Sequence, residues 1–347
     1  MLDDVDVDSP APREVLVRTA AAGVCHSDLH FMEGSYPCPV PAVMGHEAAG
    51  VVEAVGDQVQ GIAVGDHVIT CLSVFCGSCE QCLSGRPNLC DKLSTRRPAG
   101  GRPRLSRRGE ALHHFFDTAA FAEMMLVHEH ACVVIDKAMP LDRAALLGCG
   151  VTTGLGAVFR TASVRPGETV AVIGCGGVGL SAVQGARIAG AGRIIAVDRL
   201  ASKLDLARTF GATDVIDGSA TDAVEAVREL TKGGVHHAFE AIGRKDTAEQ
   251  AFRMLRSGGT ATVIGLIPIG TKVEVDGYEL LAEKRLQGSN MGSNRFRIDM
   301  PRYVDLYLQG RLELDALISS RIGLDNVNDA VEALRIGEVA RQVIVFE

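Results

Sequence analysis

The 347-residue chain has no tryptophan and only four tyrosines. It also lacks any apolar run of the ~18 residues that a membrane-spanning helix needs. Basic residues are not in excess: the formal net charge of −8 argues against nucleic acid or an anionic membrane as the main partner. The N-terminus, M-L-D-D-V-D-V-D, has no signal-peptide core. We therefore expect a cytoplasmic protein.

The length and the pattern of the chain predict two domains. Residues 1–150 contain short β-type runs at 14–19, 48–56 and 65–70, which indicate a β-rich domain. Residues 151–290 alternate between strand and helix, which is typical of a parallel sheet covered on both faces. Residues 291–347 are helical and end in a strand at 342–346, and we expect them to return to the first domain.

The second domain reads as a doubly wound α/β unit. Near-continuous apolar segments alternate with amphipathic ones, and this alternation favours parallel strands joined by helices. The predicted strands are 169–173, 193–197, 214–216, 235–240 and 259–265, and the predicted helices are 178–189, 201–210, 221–231 and 246–256.

Four cysteines with short gaps are the strongest local signal. They lie in C-G-S-C-E-Q-C-L-S-G-R-P-N-L-C, within a lobe of about residues 71–92. Gaps of two residues let thiolates point at one centre, which suits tetrahedral Zn²⁺. Because four sulfurs leave no open position, the predicted site is structural. Its ligands are Cys76, Cys79, Cys82 and Cys90.

A second zinc site requires about three ligands and an open position. Cys25, His46 and Cys149 are the candidates outside the lobe, and two thiolates with an imidazole suit a Lewis-acidic zinc. Each of these residues alone is more often a core residue. We read the remaining cysteines as packing residues: Cys38, Cys71, Cys132 and Cys175.

A glycine-rich turn predicts a dinucleotide site. Gly174, Gly176 and Gly179 follow an apolar strand and open a helix, the context that the G-x-G-x-x-G fingerprint requires. Asp198 ends the next strand, where a carboxylate binds the adenosine ribose hydroxyls of NAD. The same carboxylate disfavours the 2′-phosphate of NADP, although the adjacent Arg199 is a possible phosphate partner.

These motifs, taken in order, resemble the zinc-dependent medium-chain alcohol dehydrogenases. The resemblance runs through C-H-S-D-L-H, G-H-E-A-A-G-V-V, the four-cysteine lobe, G-C-G-V-T-T-G and G-C-G-G-V-G-L. It covers nearly the whole chain and is nearest to the primary-alcohol branch, because H-H-F at 113–115 accompanies the lobe. The resemblance implies a Rossmann fold beside a β-rich, GroES-like catalytic domain.

The resemblance also implies roles at the metal site. Cys25, His46 and Cys149 would bind the catalytic zinc, with Glu47 behind the metal. Asp28 would orient His46. A proton relay would run from Ser27, which binds the substrate hydroxyl, through the nicotinamide ribose to His30 at its solvent end. The alternatives left open by the residues alone are that Ser27 caps a helix beginning at Asp28 and that His30 is a surface histidine.

Further roles concern the cofactor and the substrate. The resemblance implies that the glycine turn and its flanks bind NAD, with His26 and Arg341 on the pyrophosphate, Lys203 near the adenosine ribose, and Thr153 and Val178 against the nicotinamide. The residues expected to bind the cofactor are thus Gly174, Gly176, Gly177, Val178, Gly179, Asp198, Arg199, Lys203, His26, Thr153 and Arg341. The expected alcohol pocket is lined by Leu72, Phe115 and Leu266.

The predicted function is reversible oxidation of a primary alcohol, aromatic or aliphatic, to an aldehyde by an NAD-dependent enzyme with two zinc ions per subunit. A polyol or secondary-alcohol dehydrogenase is an alternative, as is a glutathione-linked formaldehyde dehydrogenase. Ser94 disfavours the glutathione-linked enzyme. In the resemblance, glutathione-dependent formaldehyde dehydrogenases have an arginine shortly after the fourth lobe cysteine, where this chain has Ser94. The least favoured alternative is a polyanion-binding protein that uses six arginines at 96–108, a segment we read as a solvated loop. We expect a homodimer or homotetramer, with 262–269 pairing across a two-fold axis.

Overall fold

The structure is a computed structural model that describes residues 4–91, 93–337 and 340–346. The chain divides into two compact units. Unit 1 comprises Met1–Cys149 and Arg295–Glu347, and unit 2 comprises Gly150–Asn294. The chain thus leaves unit 1 once and returns to it.

The strands, in chain order, are β1 Asp6–Val7, β2 Glu14–Val24, β3 Ala42–Val43, β4 Glu47–Val55, β5 His67–Cys71, β6 Leu105–Arg107, β7 Glu110–Ala111, β8 His113–His114, β9 Met124–His128, β10 Cys132–Val134, β11 Thr169–Ile173, β12 Arg193–Asp198, β13 Asp214–Asp217, β14 Val235–Glu240, β15 Leu255–Val263, β16 Arg285–Gly288, β17 Ile318–Ile322 and β18 Arg341–Val345. The α-helices are α1 His26–Met32, α2 Glu80–Leu83, α3 Leu141–Leu147, α4 Gly150–Gly156, α5 Gly177–Ile188, α6 Ala201–Thr209, α7 Ala223–Thr231, α8 Lys245–Arg253, α9 Phe296–Leu308 and α10 Val327–Ile336.

Unit 1 is built around one mixed sheet. Its strand order is β10-β5-β4-β2-β18-β17, and β9 also pairs with β2. The returning strand β18 lies antiparallel to β2, with Ile344 opposite Ala22. Apolar side chains of β2, β4, β9 and α10 form one buried cluster. The C-terminal segment is therefore part of the core of unit 1.

Unit 2 is a parallel sheet between helices. Within residues 150–294, all of which the structure describes, the strand order is β13-β12-β11-β14-β15-β16 and every pairing is parallel. The order reverses between β11 and β14, which is the switch point of a doubly wound sheet. Two strands of the sheet differ most from the sequence prediction: β15 begins at Leu255 and ends at Val263 rather than running over 259–265, and β16 was not predicted.

The arginine-rich segment is wrongly predicted as a wholly solvated loop. Arg97 and Arg104 turn inward, where Glu14 is only 3% exposed. Arg97 Nη2 lies 2.6 Å and Arg104 Nε 2.7 Å from carboxylate oxygens of Glu14, and Arg97 also bonds Asp8 at 2.6 Å. A buried carboxylate needs such partners, because burying it unpaired is costly. Sequence composition gives no sign of this long-range pairing.

Among the residues that the structure describes, no single helix is long and apolar enough to cross a membrane. Taken together, the bent helix pair Leu141–Leu147 and Gly150–Thr161 has the length and apolar composition of a membrane-spanning segment, and this is a statement of length and composition alone.

Glu14 makes a testable contribution to stability. Burial alone would raise its pKa, but hydrogen bonds from Arg97 and the Ala11 amide, with the charge of Arg104, lower the pKa to about 2. We expect Glu14→Gln to lower the free energy of unfolding by about 3 kcal/mol at pH 7, because it breaks a buried pair. Since the folded pKa is depressed from 4.5, this stabilisation is complete above that pH and is lost as the pH falls towards 2.

Urea unfolding followed by circular dichroism from pH 7 down to about pH 2 measures this effect, because the predicted loss falls between the unfolded pKa of 4.5 and the folded pKa of about 2. The matched control is Glu53→Gln, because Glu53 also pairs with an arginine but its side chain is 41% exposed. Exposed pairs contribute roughly 0–1 kcal/mol. Equal losses for the two variants would contradict the buried cluster.

Candidate active site and nucleotide-binding turn

Cys25, His46 and Cys149 converge within unit 1. One ligand atom from each lies within 4.8 Å of the others. All three residues are buried, and His46 is 0% exposed. The sequence separates them widely, but the end of β2, the start of β4 and the end of α3 bring them together.

Asp28 fixes the orientation of His46. Asp28 Oδ1 lies 3.1 Å from His46 Nδ1, and both side chains are fully buried. The same carboxylate accepts hydrogen bonds from the main-chain amides of Cys25 and Gly45. An imidazole held at Nδ1 presents Nε2 as the ligand atom, which is the usual arrangement behind a metal-binding histidine.

Hydrogen bonds and neighbouring charges shift the pKa values of the three ligand candidates in different directions. A hydrogen bond from Cys149, with the charges of Arg341 and His46, lowers the pKa of Cys25 well below its ordinary value. That same hydrogen bond and burial raise the pKa of Cys149. Burial alone would lower the pKa of His46, but the Asp28 carboxylate and the Cys25 thiolate raise it. The three groups therefore share protons that a divalent cation would displace.

The residues fit a zinc ion. His46 Nε2 is buried and has no hydrogen-bond partner within the described ranges, and the donor set of two sulfurs and one nitrogen is soft. Three protein ligands leave a fourth position open, as in catalytic rather than structural sites.

Glu47 and Arg341 form a buried ion pair beside this cluster. Arg341 Nε lies 3.4 Å from Glu47 Oε1, and Arg341 Nη1 donates to the Val24 carbonyl at 3.3 Å. Burial would lower the pKa of Arg341, but the charges of Glu47, Cys25 and Cys149 raise it. In this structure Arg341 is thus buried beside the cysteines. His26, the other residue predicted at the pyrophosphate, is exposed at the start of α1.

The predicted relay residues lie on α1. Ser27 is in the first turn rather than at the cap, which Cys25 occupies, and its Oγ is 3.8 Å from Cys25 Sγ. His30 is half-buried, with its ring edge-on to Tyr36 at 6.4 Å between centroids. Both residues therefore lie on the helix that begins at a metal-ligand candidate.

Two phenylalanine rings flank His46, and the sequence predicted only one of them, Phe115. The rings of Phe115 and Phe116 lie edge-on to His46, with centroids 6.0 and 5.3 Å away. Phe31 packs against both phenylalanines, with centroids 5.1 Å away in each case. Phe116 adopts a left-handed backbone at φ 49°. The sequence feature that could have identified Phe116 is the F-F dipeptide that follows H-H at 113–114. Of the other predicted pocket residues, Leu72 is half-buried in unit 1 and Leu266 is 38% exposed in unit 2.

The four-cysteine lobe has the spacing of a tetrahedral zinc site. Zn–S bonds of 2.3 Å place sulfurs about 3.8 Å apart in a tetrahedron. The Sγ atoms of Cys76 and Cys82 are 3.9 Å apart, and those of Cys79 and Cys90 are 3.7 Å apart. Hydrogen bonds from the amides of Ser78 and Cys79 help lower the pKa of Cys76 to about 6, whereas burial raises that of Cys82 to about 12.

In unit 2, the glycine turn joins β11 to α5. Gly174 has φ 93°, and a Cβ on Gly179 would lie 1.7 Å from the Gly174 carbonyl oxygen. A Cβ on Gly176, the residue before Gly177 and the helix, would meet no described atom within 4 Å. The turn is therefore closed on its protein side and open at the helix N-terminus, where phosphates bind.

Asp198 lies at the end of β12. Its Oδ2 accepts from the Cys175 amide at 2.7 Å, and its Oδ1 accepts from the amides of Arg199 and Leu200. Asp198 thus braces the glycine turn, and it ends the strand at which the sequence predicts ribose binding. The other predicted cofactor residues in unit 2 range from exposed to nearly buried: Arg199 is exposed, Lys203 and Val178 are half-buried, and Thr153 is 8% exposed.

Comparison with known proteins identifies the family. Residues 11–137 match the alcohol dehydrogenase GroES-like domain family, and residues 177–309 match the zinc-binding dehydrogenase family. S-(hydroxymethyl)glutathione dehydrogenase of Haemophilus influenzae is 38% identical over 99% of this chain and 93% of its own length.

Two solved structures show the same architecture. Benzyl alcohol dehydrogenase of Acinetobacter calcoaceticus is 35% identical, with a TM-score of 0.93 over 99% of this chain and 94% of that chain. A zinc-binding dehydrogenase of Sinorhizobium meliloti 1021, bound to NADP, is 32% identical, with a TM-score of 0.83 over 98% of this chain and 94% of that chain.

The chain is therefore an oxidoreductase with a GroES-like domain and a Rossmann sheet, and the predicted fold class is confirmed. It belongs to the zinc-dependent medium-chain alcohol dehydrogenases, as the order of its motifs predicts.

Asp28 provides a test of the metal site. We expect Asp28→Asn to weaken zinc binding at Cys25, His46 and Cys149 by roughly 10- to 100-fold, because the amide no longer orients and charges the imidazole. Competition with a chelator, with zinc counted per chain, measures the effect. Asp57→Asn, at an exposed aspartate of unit 1, is the control. Unchanged zinc affinity in Asp28→Asn would contradict this role.

Proposed function

We propose that this protein is an NAD-dependent dehydrogenase that interconverts a small primary alcohol and its aldehyde and holds two zinc ions per subunit. The observation that carries the proposal is the buried convergence of Cys25, His46 and Cys149. A closed four-sulfur site alone supports only a structural metal. A three-ligand site adds an open position for substrate.

When bound, zinc supplies Lewis acidity to the alcohol oxygen, and the nicotinamide accepts the hydride. The chain's own residues hold the groups and move the proton. Ser27 Oγ, near Cys25 Sγ, would accept the hydroxyl proton of the alcohol as it gives up its own proton towards His30. The His30 ring would take up that proton and release one to water. The rings of the buried Phe115 and the half-buried Phe116 lie edge-on to His46 and limit the access of water to it.

NAD rather than NADP is the proposed cofactor. The Asp198 carboxylate would repel a 2′-phosphate and accept hydrogen bonds from ribose hydroxyls. The relative from Sinorhizobium meliloti is bound to NADP, and Arg199 adjoins the acid. Comparing kcat/KM for the two cofactors tests the preference directly.

An apolar primary alcohol is the proposed substrate, because phenylalanine rings line the neighbourhood of His46. Benzyl alcohol fits this chemistry, and a relative with a TM-score of 0.93 is named for it. S-(hydroxymethyl)glutathione is the second candidate, since a relative of 38% identity carries that name. Exposed Ser94 offers no charge to an anionic peptide. Rates on both substrates, with a secondary alcohol and a polyol beside them, separate the candidates.

The decisive variant is Cys149→Ala. We expect it to lose one of two zinc ions and at least about 1000-fold in kcat/KM, some 4 kcal/mol of transition-state stabilisation. NADH production and zinc content are measured on the same preparation. Cys38→Ala, at a half-buried cysteine outside both clusters, is the control. Full turnover in Cys149→Ala would refute the ligand assignment.

The relay predicts a separate result at His30. We expect His30→Ala to lower kcat near neutral pH by roughly 100-fold, the lower end of the usual contribution of a positioned proton carrier. Added imidazole or amine buffer should restore part of the rate, because it supplies the missing acceptor. If buffer gives no rescue, His30 does not carry the proton.

We also propose a cytoplasmic homodimer or homotetramer. Of the segment 262–269 expected to pair across a two-fold axis, Thr262 and Val263 offer no free strand edge, because they lie in β15 between β14 and β16. Pairing of 264–269 stays a prediction. Within residues 150–294, the outer strands are β13 and β16. Light scattering on purified protein gives the oligomeric state.

A further inference from the structure

We infer that Glu240 is a positioning residue for the nicotinamide half of the dinucleotide, an inference that rests on the proposed NAD-dependent function. Glu240 is 0% exposed and ends β14. It belongs to neither metal cluster nor the glycine fingerprint. A buried carboxylate is costly unless its hydrogen bonds compensate, so its contacts indicate what it does.

Glu240 lies at the switch point of the sheet. It pairs in register with Ile173, the last residue of β11 before the glycine turn. Asp198 ends β12, on the opposite side of β11. Dinucleotides bind across the crevice where the strand order reverses. With the adenosine ribose at Asp198, the nicotinamide half extends over the ends of β14 and β15.

The carboxylate shapes the turn that follows β14. Glu240 Oε1 accepts hydrogen bonds from the Ile242 amide at 2.9 Å, the Gly243 amide at 2.7 Å and the Thr247 hydroxyl at 2.8 Å. Its main-chain oxygen accepts from the amides of Ile264 and Gly265, at 2.8 and 3.1 Å. One residue therefore ties the turn at 241–243 to the segment that leaves β15.

This turn touches the phosphate-binding turn directly. A Cβ on Gly174 would lie 2.5 Å from Ile242 Cγ1. On the other side, Gly243 has φ 91°, and a Cβ there would lie 2.5 Å from the Leu266 carbonyl oxygen. With no free space on either side, a displaced turn shifts both the glycine turn and residues 264–266.

The two carboxylate oxygens of Glu240 differ in their hydrogen bonds, and we choose the variants from this difference. Glu240 Oε2 is buried without a hydrogen-bond partner in the part of the chain that the structure describes. Glu240→Gln keeps an acceptor at the Oε1 position, whereas Glu240→Ala removes it. Positioning through Oε1 therefore predicts a small effect for glutamine and a large one for alanine.

The experiment compares the binding of NADH, which contains the nicotinamide half of the dinucleotide, with that of AMP, which does not. The dissociation constant of NADH is measured by its fluorescence, and that of AMP by competition. We expect Glu240→Ala to weaken NADH binding at least about tenfold, equivalent to 1.4 kcal/mol, and AMP binding by no more than about twofold. Glu240→Gln should lie near the wild-type protein for both.

Val227→Ala, in the buried core of unit 2 on α7, controls for general destabilisation, with thermal midpoints recorded for every variant. If the wild-type protein does not bind NADH, the proposed function falls and this inference with it. If the wild-type protein binds NADH and Glu240→Ala binds it equally well, the inference alone is overturned. Parallel losses for NADH and AMP, or the same loss in Val227→Ala, also overturn it.

Discussion

Two sulfurs and one imidazole nitrogen, buried together within reach of a single metal ion, are the constraint on which the candidate active site depends. Burial makes two thiolates in contact unfavourable, so protons divide unequally between Cys25 and Cys149. A divalent cation removes that conflict. The fold keeps the donors in place by anchoring each at an element end, and Asp28 fixes the imidazole. The family relationship and this geometry point to the same metal chemistry.

The glycine turn of unit 2 offers main-chain groups rather than charged side chains to a ligand. Its glycine turn is closed against Ala241 and Ile242 and open at the N-terminus of α5. Carboxylates act here as braces: the half-buried Asp198 accepts from the Cys175 amide, and the buried Glu240 accepts from the amides of the next turn. Both acids end parallel strands, where loops must change direction without regular hydrogen bonds.

The sequence predicts what local spacing encodes. Cys76, Cys79, Cys82 and Cys90, and the glycines at 174–179, are close in the chain, so their geometry follows from few torsion angles. Cys25, His46 and Cys149 required a resemblance over the whole chain, since no local pattern joins them. The inward turn of Arg97 and Arg104, the left-handed Phe116 and the contacts of Glu240 depend on tertiary packing. Composition and hydrophobic periodicity do not report which residues distant in the chain come into contact. These features were therefore not predictable from the sequence.

The most direct test of the central claim is a crystal structure with anomalous diffraction recorded at the zinc edge. The account predicts two peaks per chain, one among the four lobe cysteines and one bonded to Cys25 Sγ, His46 Nε2 and Cys149 Sγ. A chain with only the lobe peak, or with its second zinc bound elsewhere, would contradict it.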